Sequence, residues 1–207
     1  MAPPDERRRG RPRSVTADAI LDAVESAGLD GFTVSGIASA LGVRDGTIYN
    51  YFSSRQAIAM SAGTRALARL DLRSEHGDDW VDYLIGVNLE LRRATAQMSG
   101  LSGYYLHGPY LPETLQVFDL QIDQVAGHLG LDVTDPAARD YAFILASFAS
   151  TTTLNLLGAP TVPDDQVRAI LRSILPALHS TLAGTPPTGV SWSALRSSLL
   201  KDSPTAD

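Results

Sequence analysis

Apolar residues recur every three to four positions along the N-terminal quarter of the chain, in short runs that small turns separate. The first run lies between Thr16, a residue type that caps helix N-termini, and Gly28, a residue type that ends helices. The second run lies in the same way between Thr33 and Gly42. This pattern predicts two short helices, each with one buried face.

A third short helix is predicted over residues 45–52, and its two faces differ in chemistry. Ile48 and Phe52 lie four residues apart and therefore share one face, which we expect to be buried. Since a helix turns by about 100° per residue, Asn50 points away from Ile48. The flanking positions carry hydroxyl groups, on Thr47 and Tyr49. The exposed face thus offers an amide and hydroxyls that packing does not require.

Beyond residue 53 the pattern is helical throughout. Glycines and prolines interrupt it in the segment SGLSGYYLHGPYLPE, residues 99–113. No strand-like alternation persists, so the sequence predicts an all-α fold. The predicted helices cover about residues 55–72, 79–98, 112–129, 136–158 and 164–183, with a short amphipathic tail over 192–200.

One segment, residues 141–163, has no charged side chain and is about as long as a bilayer-spanning helix. Its serine, threonine and asparagine side chains would be costly in lipid, and Gly158-Ala159-Pro160 ends the helix early. A helix that is apolar nearly all round can instead be buried in protein. We therefore expect no membrane span and predict that this helix lies between two subunits.

Composition excludes several classes of function. The chain of 207 residues has no cysteine, which excludes disulfides, zinc ribbons and iron–sulfur clusters and fits a cytoplasmic protein. Its four histidines lie far apart, and no nucleophile elbow, Walker lysine or dinucleotide fingerprint is present. We expect no enzyme activity, no cofactor and no metal site. The N-terminus has no apolar stretch behind its basic residues, so we expect no secretory signal.

Charge is distributed unevenly along the chain. The formal net charge is −6, but residues 1–60 hold seven arginines against seven acidic residues, so the whole deficit lies in the remainder. Five of those arginines stand in the first 14 residues, which have no periodicity and are predicted to form a flexible basic arm. The arm either enters a DNA minor groove or stays solvated, and the sequence leaves both open.

The stretch AILDAVESAGLDGFTVSGIASALGVRDGTIYNYFSSRQAI resembles the N-terminal domain of the tetracycline-repressor (TetR) family of bacterial transcription regulators. The family pattern is matched by Gly28, Thr33, Leu41-Gly42-Val43, Thr47-Ile48-Tyr49, Tyr51-Phe52 and Arg55. The match covers about the first quarter to third of the chain. The all-helical remainder agrees with the ligand-binding and dimerisation domain of that family.

This resemblance implies a helix-turn-helix whose last helix enters the major groove of DNA. The predicted DNA-contact residues are Thr33, Ser35, Arg44, Asp45, Gly46, Thr47, Tyr49, Asn50, Tyr51 and Arg55. By resemblance, Thr33 caps the second helix at a backbone phosphate and Arg55 holds a phosphate. Asparagine can bind adenine through two hydrogen bonds, whereas threonine and tyrosine hydroxyls more often meet phosphates.

Two positions depart from the family pattern. Ser35 and Gly36 stand where the family often has a basic or long polar residue, so we expect the second helix to read less of the DNA directly. Asp45 would repel phosphate unless it caps the third helix or accepts a hydrogen bond from cytosine N4. We favour the cap.

The second half of the chain is expected to bind a small, largely apolar or aromatic effector. Three tyrosines and a histidine in the segment 104–110 fit a pocket with a few polar groups, although tyrosines also fill gaps between helices. The candidate ligand-binding residues are Tyr83, Asn88, Tyr104, Tyr105, His107, Tyr110, Phe118, Gln121 and Asn155.

These features predict four parts: a basic arm (1–14), a helix-turn-helix DNA-binding domain (15–60), a helical effector-binding and dimerisation domain (61–184) and a tail (185–207). We expect a homodimeric repressor that a small molecule releases from a palindromic double-stranded operator. Helices 136–158 and 164–183 would form a four-helix bundle with their mates. A constitutive or architectural DNA-binding protein without effector, or a helical enzyme, are the alternatives.

Overall fold

The computed structural model describes residues 15–73, 76–77, 79–156 and 158–201, so the predicted basic arm lies outside the described residues. Within these ranges the chain forms helices and no strand, which confirms the all-α prediction. The helices are α1 (Ala17–Ala27), α2 (Val34–Leu41), α3 (Asp45–Ile48), α4 (Arg55–Leu67), α5 (Trp80–Gln97), α6 (Leu101–His107), α7 (Pro112–His128), α8 (Pro136–Asn155), α9 (Asp164–Leu182) and α10 (Trp192–Lys201).

Helices α1 and α2 begin at the two threonines that the sequence predicts as caps. The Thr16 hydroxyl accepts a hydrogen bond from the amide of Ala19 at 3.2 Å, and the Thr33 hydroxyl accepts one from Gly36 at 3.0 Å. Each bond satisfies a backbone donor that has no partner within the helix. Gly42 ends α2 in the left-handed conformation, with φ at 70°, which glycine adopts without steric cost.

Helix α3 is shorter than predicted. Its α-helical part covers Asp45–Ile48 rather than residues 45–52. Shorter-range bonds continue the turn, because the amide of Asn50 binds the Thr47 carbonyl at 3.3 Å and that of Tyr51 binds the Ile48 carbonyl at 3.0 Å. Tyrosine, asparagine and phenylalanine have low helix propensity, which accounts for the single α-helical turn. Residues 45–52 are called the recognition turn below.

Two further boundaries differ from the predictions. Helix α4 ends at Leu67, well before residue 72, and tight turns follow it. The interrupted segment 99–113 contains a seven-residue helix, α6, which the glycine and proline pattern did not predict. Gly100 and Gly108, with φ of 80° and 65°, stand at its two ends, so these glycines bound the helix instead of preventing it.

Helix α5 is the centre of the C-terminal body and packs against α4, α6, α7, α8 and α9. Helix α4 contacts α1 on one side and α6 and α7 on the other, so it joins the N-terminal helices to the body. One hydrophobic core runs from Ile20 in α1 to Trp192 in α10. The predicted division at residue 60 therefore falls inside α4, and it stays a prediction.

Helix α8, which contains most of the uncharged segment 141–163, packs on α5, α7, α9 and α10. Its residues Ala142, Leu145 and Ala149 are fully buried. Every helix in the described part of the chain is too short or too polar to cross a bilayer. The burial of α8 in the body agrees with the expectation that it does not span a membrane.

Candidate nucleic-acid interface and effector cavity

The recognition turn buries its apolar side and exposes its polar aromatic side. Ile48 has no exposed surface, whereas Tyr49 and Tyr51 are 50% and 45% exposed. Asn50 between them is exposed as well. The Tyr51 hydroxyl donates a hydrogen bond to the backbone carbonyl of Val15, which ties the turn to the segment that precedes α1. Two large side chains are thus held at the surface, where they are free to meet another molecule.

Asp45 does not cap α3, so that expectation was wrong. The cap position is Arg44, one residue earlier, and its side chain makes no capping bond. The Asp45 carboxylate instead accepts a hydrogen bond from the hydroxyl of Ser35 in α2. This contact joins the two helices of the helix-turn-helix across their outer surface, and it occupies one of the two carboxylate oxygens.

Arg55 is engaged by the protein itself. Its Nε donates to the Phe32 carbonyl at 3.1 Å, and its Nη2 lies 3.3 Å from the Leu29 carbonyl and 3.4 Å from that of Asp30. The guanidinium also lies over the Phe32 ring, 4.4 Å from its centre. Arg55 therefore holds the α1–α2 loop to the start of α4. The phosphate contact implied by resemblance depends on Nη1 and stays a prediction.

The predicted DNA-contact residues come from three short stretches: the start of α2, the recognition turn with Arg44, and the start of α4. All of them are exposed except Thr47, which is half-buried. The hydroxyl of Thr33 already accepts the amide of Gly36, so its capping role is confirmed, and its phosphate contact stays a prediction.

The body contains a cavity of about 280 Å³ between α6, α7, α8 and α10. Five of the predicted ligand-binding residues line it: Tyr105, His107, Tyr110, Phe118 and Gln121. Tyr83, Asn88, Tyr104 and Asn155 are not part of its wall. Several other residues of the cavity wall are not predicted from the sequence, among them Phe143, Ser150 and Trp192.

Aromatic rings form much of the cavity wall, with Phe118 at their centre. The rings of Tyr105 and Tyr110 stand edge-on to Phe118, with centres 5.2 and 5.3 Å away. Trp192 lies 6.5 Å from Phe118 and 5.1 Å from Phe143. Edge-on packing at these separations is favourable beyond simple area burial and gives the wall a fixed shape.

Polar groups lie in the same wall. The Tyr105 hydroxyl donates to the hydroxyl of Ser150 at 3.0 Å and lies 3.3 Å from Gln121 Oε1. Burial raises the pKa of Tyr105, and the hydrogen bonds of its hydroxyl with Ser150 and Gln121 oppose that shift in part. Gln121 is 5% exposed, and its buried Nε2 has no hydrogen-bond partner among the described residues.

Helix α10 closes one side of the cavity and is held there by Asp119 of α7. The Trp192 indole donates to Asp119 Oδ1 and Arg196 Nε donates to Oδ2, each at 2.7 Å. Arg139 Nη2 also donates to Oδ1, at 3.0 Å. The segment predicted as a terminal tail is therefore part of the cavity wall. Its amphipathic pattern was the available signal, but the pattern did not show which surface α10 covers.

Tyr104 connects the cavity wall to α4. Its ring centre lies 5.8 Å from that of Tyr110, and its hydroxyl lies 3.0 Å from that of Thr64 and 2.7 Å from that of Thr114. The two threonine hydroxyls are 2.6 Å apart, which closes a buried triad across α4, α6 and α7. A Cβ at Gly63 would come within 2.4 Å of the Tyr104 ring, so α4 packs tightly on α6 here.

The three other predicted ligand residues have different surroundings. Tyr83 is fully buried in α5, donates to the Leu72 carbonyl at 3.1 Å and stacks on His128. Asn88 donates to the Leu84 carbonyl at 2.8 Å. Asn155 is exposed at the end of α8. Helix α5 contributes no residue to the cavity wall, which places Tyr83 and Asn88 outside it.

A larger and more open cleft of about 650 Å³ lies between α1, α4, α5 and α6. Charged side chains line it, and several of them form ion pairs within the protein. Glu25 accepts hydrogen bonds from Arg65 and Arg69, each at 2.7 Å. A cleft of mutually neutralised surface charges suits water better than an apolar effector, so the smaller aromatic cavity is the better candidate ligand site.

Comparison with known proteins identifies the N-terminal region. Residues 18–62 match the family described as "Bacterial regulatory proteins, tetR family". A transcriptional regulator of Streptomyces coelicolor A3(2) has the same fold at 22% identity, with 84% of this chain and 100% of that chain covered and a TM-score of 0.58. One from Rhodococcus sp. Rha1 is also 22% identical, with 80% and 94% covered and a TM-score of 0.53. No curated protein matches the sequence.

The exposed recognition turn, packed behind two capped helices, has the arrangement of a helix-turn-helix. With the family match over the same residues, residues 18–62 are similar to the DNA-binding domain of the TetR family of bacterial regulatory proteins.

Proposed function

We propose that the protein is a homodimeric repressor that leaves a palindromic operator when a small molecule fills the cavity between α6, α7, α8 and α10. Each subunit would place its recognition turn in a major groove, and the two-fold axis of the dimer would coincide with that of the operator. Such a regulator acts in the cytoplasm, where the DNA is. The proposal has two halves, DNA contact and its control by the cavity.

The proposed control of DNA binding by the cavity rests on one observation, the contact between Tyr104 and α4. A ligand against Phe118 and Tyr110 presses on the rings that pack against Tyr104, and Tyr104 is bound through Thr64 to α4. Close packing transmits such a displacement because the interior has little free volume. A coupling of about 1–3 kcal/mol between the two sites corresponds to a 5–150-fold change in operator affinity.

Arg55 supports transmission from α4 to the DNA-binding helices. It begins α4 and binds the carbonyls of the α1–α2 loop, so a shift of α4 carries that loop with it. The spacing of the two recognition turns in a dimer would then change. Since half-sites lie one helical turn of DNA apart, about 34–36 Å, a change of a few ångströms weakens simultaneous binding.

We assign the DNA contacts by chemistry. Asn50 lies exposed at the centre of the recognition turn and is assigned to a base edge, because its amide can pair with adenine. Tyr49, Thr47 and Thr33 are assigned to backbone phosphates, which fix register without reading sequence. Arg44 beside the turn supplies positive charge.

We assign dimerisation to α8 and α9. These helices pack on each other, and α8 with its C-cap residue exposes two large apolar side chains, Phe148 at 39% and Leu156 at 73%. Exposed apolar groups of this size on one helix favour burial against a second copy. Two helices from each subunit would form a four-helix bundle.

The first experiment is selection of duplexes from a random pool by the purified full-length chain, followed by sedimentation of the complex. We expect an inverted repeat bound by two chains, with half-site centres 10–10.5 base pairs apart or a multiple of that. Binding to a single half-site as a monomer would contradict the dimeric reading. A selected operator whose affinity no compound in a broad small-molecule panel alters would favour a constitutive DNA-binding protein.

A further inference from the structure

We propose that the effector is an uncharged aromatic molecule that carries a carbonyl-type hydrogen-bond acceptor, and that the Gln121 side-chain amide binds this acceptor. The inference rests on the proposed function, because it specifies the ligand class of the same cavity. Four features of the cavity wall carry it: the absence of free charge, the unpaired amide, the ring packing and the volume.

The wall offers no permanently charged partner for an ionised ligand. Among the described residues that line the cavity there is no arginine, lysine, aspartate or glutamate. Asp119, which binds the indole of the wall residue Trp192, is itself paired with both Arg139 and Arg196 within the protein. An ionised carboxylate or phosphate would lose its hydration without gaining an opposite charge, which is costly. An uncharged ligand avoids this cost.

Gln121 supplies an unused donor. Its Oε1 faces the Tyr105 hydroxyl at 3.3 Å, while its buried Nε2 has no partner in the described part of the chain. A buried amide without a partner destabilises the protein, since it has lost its bonds to water. Folded proteins satisfy nearly all such groups, so an orphaned amide in a cavity wall indicates a ligand that satisfies it. The N–H group donates, and the ligand must therefore accept.

The rest of the wall selects for flat, apolar groups. The rings of Tyr105, Phe118 and Trp192 present faces and edges that favour stacked or edge-on aromatic partners. The volume of about 280 Å³ lies at the lower end of the range of small-molecule sites. A molecule of one to three fused rings with one acceptor fits these limits.

The test uses three ligands that share a skeleton and differ only in one group: 2-acetylnaphthalene, 2-ethylnaphthalene and 2-naphthoate. Their dissociation constants for the full-length protein are measured by equilibrium dialysis. We expect the ketone to bind about three- to tenfold more tightly than the hydrocarbon, the factor that one hydrogen bond supplies. The carboxylate should bind most weakly. Matched one-ring and three-ring sets, built on acetophenone and fluorenone, control for size.

Two glutamine substitutions on α7 separate the amide from general packing. Gln121→Leu should remove the preference for the ketone while leaving the affinity for the hydrocarbon nearly unchanged. The control is Gln124→Leu, a half-buried glutamine on the same helix that does not line the cavity, and it should keep the preference. Gln121→Leu should melt no lower than the wild type, since it removes an unpaired donor.

The outcomes separate this inference from the proposed repressor. Equal binding of ketone and hydrocarbon, tightest binding of the carboxylate, a preference that survives Gln121→Leu, or no binding by any set would each overturn the ligand class. Operator affinity is measured in parallel with 2-acetylnaphthalene. Gln121-dependent binding that leaves operator affinity unchanged would support the ligand class and contradict the release mechanism. If 2-acetylnaphthalene releases the operator equally well from the wild type and from Gln121→Leu, the result would support the release mechanism and contradict the ligand class.

Discussion

The recognition turn and the cavity place similar side chains in opposite environments. Tyr49 and Tyr51 are about half exposed, and both lie in the single short stretch 45–52. Tyr104 and Tyr105 lie in the body, where their hydroxyls are bound by residues of α4, α7 and α8. The candidate DNA surface thus lies largely in one short stretch of sequence, whereas the candidate small-molecule site arises from the packing of distant segments.

Because the two regions are built from different segments, a substitution in one should impair its own binding function and leave that of the other intact. Ile48→Ala should have the largest effect, because Ile48 is fully buried beneath the recognition turn. Removing such a side chain costs about 2–5 kcal/mol of unfolding free energy. DNA binding should be lost, while binding of 2-acetylnaphthalene should persist. Thermal unfolding measures the change in stability, and equilibrium dialysis measures the binding of 2-acetylnaphthalene. Tyr49→Ala is the matched surface control, with unfolding changed by less than about 0.5 kcal/mol.

Alkaline pH should destabilise the body. Burial raises the pKa of Tyr83 and of Tyr110 well above the usual value for tyrosine. The folded protein then keeps protons that the unfolded chain releases above pH about 10, so this stability is present below pH 10 and is lost as pH rises. One unit above pH 10 the loss is about 1.4 kcal/mol for each tyrosine. Urea unfolding between pH 8 and 11 measures it.

The single variants Tyr83→Phe and Tyr110→Phe give the control. Each variant should lose less unfolding free energy above pH 10 than the wild type, because the phenyl ring has no proton to release. A loss of the same size in both variants would show that other groups cause it. A rise in stability between pH 10 and 11 would contradict the assigned sign.

Thr114→Val should weaken the junction between the body and α4. It removes one hydroxyl from the triad with Thr64 and Tyr104 and leaves two buried groups with fewer partners. We expect a loss of about 1–3 kcal/mol of unfolding free energy and a smaller effect of ligand on operator affinity. Thr181→Val, at an exposed site on α9, is the control and should change stability by less than about 0.5 kcal/mol. Undiminished ligand response in Thr114→Val would rule the triad out of the coupling.

The smallest effect concerns a single base pair. Asn50→Ala should relax preference at one operator position, at a cost of about 1–3 kcal/mol for the preferred base only. Tyr49→Ala should instead weaken binding to all sequences alike. Affinities for a set of single-base operator variants distinguish the two. Unchanged preference in Asn50→Ala would show that another residue reads the base.

These regions also differ in how far the sequence determines them. The caps of α1 and α2, the buried Ile48 and the exposed Asn50 follow from residue type and helical spacing, and the structure confirms them. Asp45 was assigned wrongly because its partner, Ser35, lies on another helix. Local pattern therefore predicts the DNA-binding surface but not the contacts between its helices.

The cavity was predicted only in part. The aromatic segment before α7 indicated a pocket, and five of the named residues line it. Trp192 was missed because its partner Asp119 lies 73 positions away along the chain. The sequence pattern does not predict helix α6, because the glycines at its two ends also occur in loops that separate helices. Contacts between segments so far apart leave no signal in the periodicity of either.

The most direct test of the account is the distance between the two helix-turn-helix regions of the proposed dimer, with and without ligand. The chain has no cysteine, so Ala40→Cys, on the exposed side of α2, gives one spin label per subunit. Double electron–electron resonance then reads the separation. We predict one distance in the free protein and a shift of a few ångströms when 2-acetylnaphthalene saturates the cavity. An unchanged distance at saturation would contradict the claim that the cavity controls DNA binding through α4.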